Sequence, residues 1–154
     1  MKFRQIAFTI ACASVALSGA TTAQDFNKSP SFGSTSLEAG FTPDPYTVSL
    51  NSGGNIEADN LGGDCAGYIA DAPDYRLNYD SGSLSLTISV TASVDTTLVI
   101  NTPNGNWVCD DDSGGNLDPK VTFSKPSSGQ YDIWVGTYGN SSMEPAVLQF
   151  TELD

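Results

Sequence analysis

The clearest alternation in the chain is Leu84-Ser-Leu-Thr-Ile-Ser-Val90, where four apolar residues share one face and polar residues the other, the period of a half-buried antiparallel strand. Tyr131-Asp-Ile-Trp-Val135 repeats the pattern. It sets Tyr131, Ile133 and Val135 on one face and Asp132 and Trp134 on the other, which predicts an exposed Trp134. Short runs at 46–50, 75–79, 97–100, 107–109, 121–123 and 146–150 are rich in β-branched, aromatic and other apolar residues and complete eight predicted strands. Between them lie turn sequences such as Asn51-Ser-Gly-Gly54, Asp80-Ser-Gly82, Pro103-Asn-Gly105 and Ser127-Ser-Gly129. No stretch longer than the first 23 residues has helical periodicity. The expected fold is all-β: an antiparallel two-sheet β-sandwich, jelly-roll-like, of about eight short strands. Residues 24–40 are Ser- and Gly-rich without periodicity and read as a flexible N-terminal segment or a loose first strand, with the sandwich domain over 41–154.

Residues 1–23 carry a cationic start at Lys2 and Arg4, an apolar stretch from Ile6 to about Leu17, and small residues up to Ala23. That is the pattern of a secretory signal peptide; the apolar run is shorter than the ~20 residues a bilayer needs. The expected destination is secreted or periplasmic, with no membrane insertion. Without the leader, Cys65 and Cys109 are the remaining cysteines, and an even count in an oxidising compartment predicts a disulfide between them.

Charge and composition then narrow the chemistry. The full chain carries −12. The mature part keeps Lys28, Arg76, Lys120 and Lys125 against all 18 acidic residues, giving −14, so nucleic acid and anionic membranes are poor partners. The chain contains no histidine, which excludes Ser-His-Asp and Cys-His nucleophilic catalysis and a histidine general base. Carboxylate chemistry or plain binding survives. A carboxylate-pair hydrolase has little room for a cleft in so small a sandwich, and no enzymatic activity is expected.

Candidate chemistry concentrates in Val108-Cys-Asp-Asp-Asp-Ser-Gly-Gly-Asn-Leu-Asp-Pro119. Three consecutive carboxylates repel one another by about 1 kcal/mol per close pair even in a water-like dielectric. Calcium, which takes six to eight oxygens, would screen Asp110, Asp111, Asp112 and Asp118. The other reading is a solvated acidic turn whose Asp side chains cap backbone amides. An EF-hand is excluded, because Val121 stands where the bidentate glutamate belongs and no helices flank the loop. Trp107 and Trp134, with nearby tyrosines, are candidates for a ligand face that stacks on sugars.

Asp95-Thr-Thr-Leu-Val-Ile100, Pro103-Asn-Gly105, Asp110-Asp-Asp-Ser-Gly-Gly115 and Ser128-Gly-Gln-Tyr-Asp-Ile-Trp-Val-Gly136, in that order and spacing, resemble the bacterial pre-peptidase C-terminal domain family. The resemblance covers about 84–150, roughly half of the mature chain. It implies a β-sandwich serving as a non-catalytic accessory module, in some members calcium-binding or substrate-binding, and it carries the calcium role to Asp110, Asp111 and Asp112. The Cys65/Cys109 pair and the segment 65–75 have no counterpart in the motif.

The combined expectation is a secreted, non-catalytic accessory or binding module, monomeric, with Ca2+ as the candidate cofactor and an unidentified protein or polysaccharide as partner. The alternatives are a carbohydrate-binding sandwich using its aromatic face and a structural subunit of an extracellular assembly associating through exposed strand edges.

Overall fold

The computed structural model describes residues 24–153; the signal sequence expected over 1–23 lies outside the described residues. Eleven strands follow in order: β1 (Ser34–Glu38), β2 (Tyr46–Ser52), β3 (Ile56–Glu57), β4 (Tyr68–Ile69), β5 (Tyr75–Asp80), β6 (Leu86–Ala92), β7 (Thr96–Asn101), β8 (Trp107–Asp110), β9 (Lys120–Phe123), β10 (Gly129–Thr137) and β11 (Glu144–Thr151). A 3-10 turn, Ala58–Leu61, separates β3 from β4. The eight strands expected from the sequence are β2 and β5–β11, and they build a two-sheet sandwich.

The smaller sheet runs β2-β11-β6-β9 and is antiparallel throughout. The larger one is organised around β10, which pairs antiparallel with β5 along one side and with β7 along the other; β8 extends beyond β7. β1 adds to β5 in parallel. The segment 24–40, expected to be flexible or a loose first strand, therefore carries an ordered edge strand. Backbone N–H groups of Ser31 and Phe32 donate to the carbonyls of Pro73 and Asp74 and lead the chain into β1. Between the sheets the alternation closes a core of Leu77, Ile100, Tyr131 and Ile133 against Leu86, Ile88, Leu148 and Phe150. Leu84, placed by its period on the same face as Leu86, lies outside β6 and is 44% exposed.

A second, smaller core lies on the opposite face of the larger sheet. Residues 53–73, containing β3, the 3-10 turn and β4, form a strap across the upper end of β10, β7 and β8. Ala58, Cys65 and Ile69 of the strap pack onto Val99 and Trp134 of the sheet. The strap is hooked at its start by the Gly53 N–H donating to the Val135 carbonyl, and midway by the Cys65–Cys109 disulfide. It sits so close that a Cβ on Gly136 would lie 2.9 Å from Ile69 Cγ2 and 3.0 Å from the Tyr68 carbonyl oxygen. The disulfide expected from the cysteine count is thus formed, and it fastens a cover over the sheet rather than joining the two sheets.

This cover corrects the expectation for Trp134. Its parity does place it away from the main core, but the strap lies over that face and the residue is 0% exposed.

Candidate binding face

Below the strap the outer face of the larger sheet is open. Pairing in register aligns Ser34 with Arg76, Arg76 with Asp132, Asp132 with Asn101, and Asn101 with Trp107. Since directly paired residues share a face, one row of side chains crosses β1, β5, β10, β7 and β8. Arg76 Nε donates to Asp132 Oδ1 at 2.6 Å, and Gln130 Nε2 donates to Asp132 Oδ2 at 2.7 Å. The same guanidinium donates through Nη2 to the carbonyls of Phe26 and Lys28. The N-terminal segment is thereby held over the sheet and Phe26 stands at the rim, 43% exposed.

A groove of about 410 Å³ follows this row, lined by Phe26, Trp107, Asn101, Gln130 and Asp132 and by the turn at Pro103. Trp107 is half-buried and braced from behind by Trp134, with ring centroids 5.3 Å apart. Gly129 shapes one wall. Its φ is +134°, and a Cβ there would meet Pro103 Cβ at 2.8 Å, so a side chain would push the 101–106 turn off β10. A second groove of about 560 Å³, lined by Ser36, Asn78, Gly129 and Gln130 among others, continues across β10, β5 and β1. Of the two expected ligand-face tryptophans, Trp107 reaches this surface and Trp134 packs beside it under the strap.

The acidic residues of the loop fall into two groups. Asp110 Oδ2 accepts from the N–H groups of Ser113 and Lys120, and its Oδ1 accepts from the Ser113 hydroxyl. Asp118 Oδ1 accepts from the Ala92 N–H at 3.1 Å, tying the loop to β6. These two carboxylates act as the turn-capping alternative describes. The charges of Asp111 and Asp112 act on Asp95, at the turn into β7. The Asp95 carboxyl is raised above the usual carboxylate range, first by burial and then by the charges of Asp112 and Asp111. Its Oδ1 is buried without a hydrogen-bond partner among the described residues. Among the described residues no group of three or more His, Cys, Asp or Glu is arranged to hold a metal ion.

Phe26, Arg76, Asn101, Gln130 and Asp132 were not singled out by the sequence. Two signals pointed toward the row: Arg76 is the sole arginine beyond the leader, and Asn101 terminates the apolar run Leu98-Val-Ile100.

No family model matches the chain, and no curated protein matches it. Among solved structures it is similar to the pre-peptidase C-terminal domain of a collagenase from Bacillus anthracis, at 13% identity over 77% of this chain and 94% of that one, TM-score 0.45. It is also similar to PliG of Aeromonas hydrophila, a periplasmic lysozyme inhibitor of g-type lysozyme, at 14% identity over 77% of this chain and 96% of that one, TM-score 0.41. The first of these comes from the family that the motifs of 84–150 resemble.

Proposed function

We propose that the protein is an exported, non-catalytic accessory module that binds its ligand on the open lower half of the larger sheet's outer face. The observation that carries this reading is the row Asp132–Asn101–Trp107, which lines a groove open to solvent, whereas the upper half of the face is covered by the strap. Concave sites with aromatic walls and a few convergent polar groups are the usual form of a ligand site. The carboxylate on the groove floor, Asp132, is paired with Arg76 and hydrogen-bonded by Gln130, an arrangement that orients a ligand rather than shuttling a proton. With no histidine in the chain, binding is the better-supported use of the surface. The disulfide suits an oxidising extracellular or periplasmic compartment, in keeping with the signal sequence expected over 1–23.

An array of glycans and extracellular peptides tests this. The wild type is expected to be retained on some of them, and the Trp107→Ala, Asn101→Ala double variant to be lost from those same positions at a temperature well below the variant's own melting midpoint. Retention nowhere, or equal retention of both proteins, contradicts it.

A second reading concerns the acidic loop. The partnerless Asp95 Oδ1, on which the charges of Asp111 and Asp112 act, favours a calcium ion that gathers these three carboxylates on binding, since no such group is preformed among the described residues, with Asp110 and Asp118 shaping the loop rather than ligating. Saturating calcium at about 100 times its dissociation constant adds about 2.7 kcal/mol to the folded state, which raises the melting midpoint by several degrees. The rise should be specific to calcium over magnesium and vanish in Asp95→Asn. An unchanged midpoint returns the loop to a solvated turn.

A further inference from the structure

We infer that the ligand of this groove is a neutral oligosaccharide, a conclusion that rests on the binding reading above and names its ligand class. Four features of the groove lead there.

Asn101 lines the groove, and its side-chain amide makes no hydrogen bond among the described residues. The amide offers two N–H donors and a carbonyl acceptor, the combination that reads vicinal hydroxyls. The walls are aromatic on both sides, Phe26 at the rim and Trp107 across from it, and the Trp107 ring is held in place by Trp134. A rigid ring with one accessible face stacks on the C–H face of a sugar at little conformational cost.

The charges are already matched. The Arg76 guanidinium is committed to Asp132 and to the carbonyls of Phe26 and Lys28, so no free cation on the floor awaits a phosphate, sulfate or carboxylate. Both oxygens of Asp132 accept hydrogen bonds, from Arg76 and from Gln130, so the floor of the first groove holds no free anion; the carboxylates of Glu38 and Asp80 line the second groove, toward its β1 end. The groups left over in the first groove are neutral amides and hydroxyls.

The fourth feature is reach. The two grooves share Gly129 and Gln130 and together run from β8 to β1, four strand intervals or about 19 Å. That exceeds a single sugar ring. An extended peptide would more naturally pair with a sheet edge through its backbone, whereas this surface offers side chains on a sheet face.

The test is titration of the oxidised protein with xylohexaose, cellohexaose and chitohexaose, with oligogalacturonate as an anionic control and a proline-rich peptide as a peptide control. Tryptophan fluorescence and backbone amide shifts are followed. At least one neutral hexasaccharide is expected to change the Trp107 emission and to shift amides of 101–107 and 129–132. Affinity should fall about tenfold or more in Trp107→Ala and in Asn101→Ala, while Trp107→Phe retains most of it. Amide shifts in the groove with oligogalacturonate alone would overturn the neutral charge of the ligand, shifts with the peptide alone would overturn the oligosaccharide class, and either would leave the binding reading standing. Shifts confined to other surfaces, or none with any probe, would overturn both.

Discussion

Loss of the Cys65–Cys109 disulfide, by reduction or by the double Cys→Ser variant, is expected to destabilise the protein by about 4 kcal/mol. The cysteines are separated by 44 positions, and closing a loop of that size removes about this much free energy from the unfolded ensemble in the chain-entropy account. For a domain of this size the midpoint should drop by more than about 10 °C. The structure adds a second consequence. The bond fastens the strap over Trp134, and the strap's own core of Ala58, Cys65, Ile69, Val99 and Trp134 is separate from the main core between the sheets. Reduction should therefore redden Trp134 emission at temperatures below the main transition, as the strap lifts before the sandwich melts. A midpoint unchanged by reduction, with unchanged emission, would contradict this.

Asp74 carries the second large expectation. It lies in the chain leading into β5, is 2% exposed, and accepts the Val135 N–H at 2.7 Å through Oδ2. Burial raises its carboxyl from an ordinary 3.8 to about 7, and the Val135 hydrogen bond offsets only part of that. Between these values the folded protein holds a proton that the unfolded chain has released. The stabilising contribution is thus complete below pH 3.8, declines as pH rises through the interval, and is gone above pH 7. A displacement of about three pH units corresponds to about 4 kcal/mol. Asp74→Asn keeps an acceptor for Val135 and cannot ionise. The stability difference between variant and wild type should grow in the variant's favour from pH 4 to pH 8, by up to that amount. Parallel stability profiles for the two proteins would refute the assignment.

The sandwich was legible because its strands obey a period of two over five or more residues or end in Gly- and Asn-rich turns. Leu86, Ile88 and Val90, and likewise Tyr131, Ile133 and Val135, point into the core as their alternation requires. β3 and β4 escaped because two residues carry no period. β1 stayed undecided between a flexible segment and a loose first strand because Ser-Thr-Ser-Leu-Glu, half-exposed along its length and paired in parallel at an edge, has the composition of a loop. Trp134 shows where parity stops: alternation decides which face of a sheet a residue takes, not whether another segment covers that face. The covering segment is the part of the chain around Cys65 that no strand motif explained.

The binding row was illegible for a related reason. Arg76, Asn101, Trp107 and Asp132 come from four strands, and they line up only once registers are fixed, which depends on which strands neighbour β10. The acidic loop was half legible. Asp110 and Asp118 behave as capping carboxylates, as a Ser-Gly-Gly turn invites, but the approach of Asp95 to Asp111 and Asp112 depends on the packing of the β7 turn against the loop.

The most direct test of the account is amide hydrogen exchange on the oxidised protein, with and without the best-retained array ligand in excess. Binding on the open half of the outer face predicts added protection in 24–30, 101–107 and 129–132, with the smaller sheet and the 110–118 loop unchanged. Protection confined to the smaller sheet or to the acidic loop would contradict it.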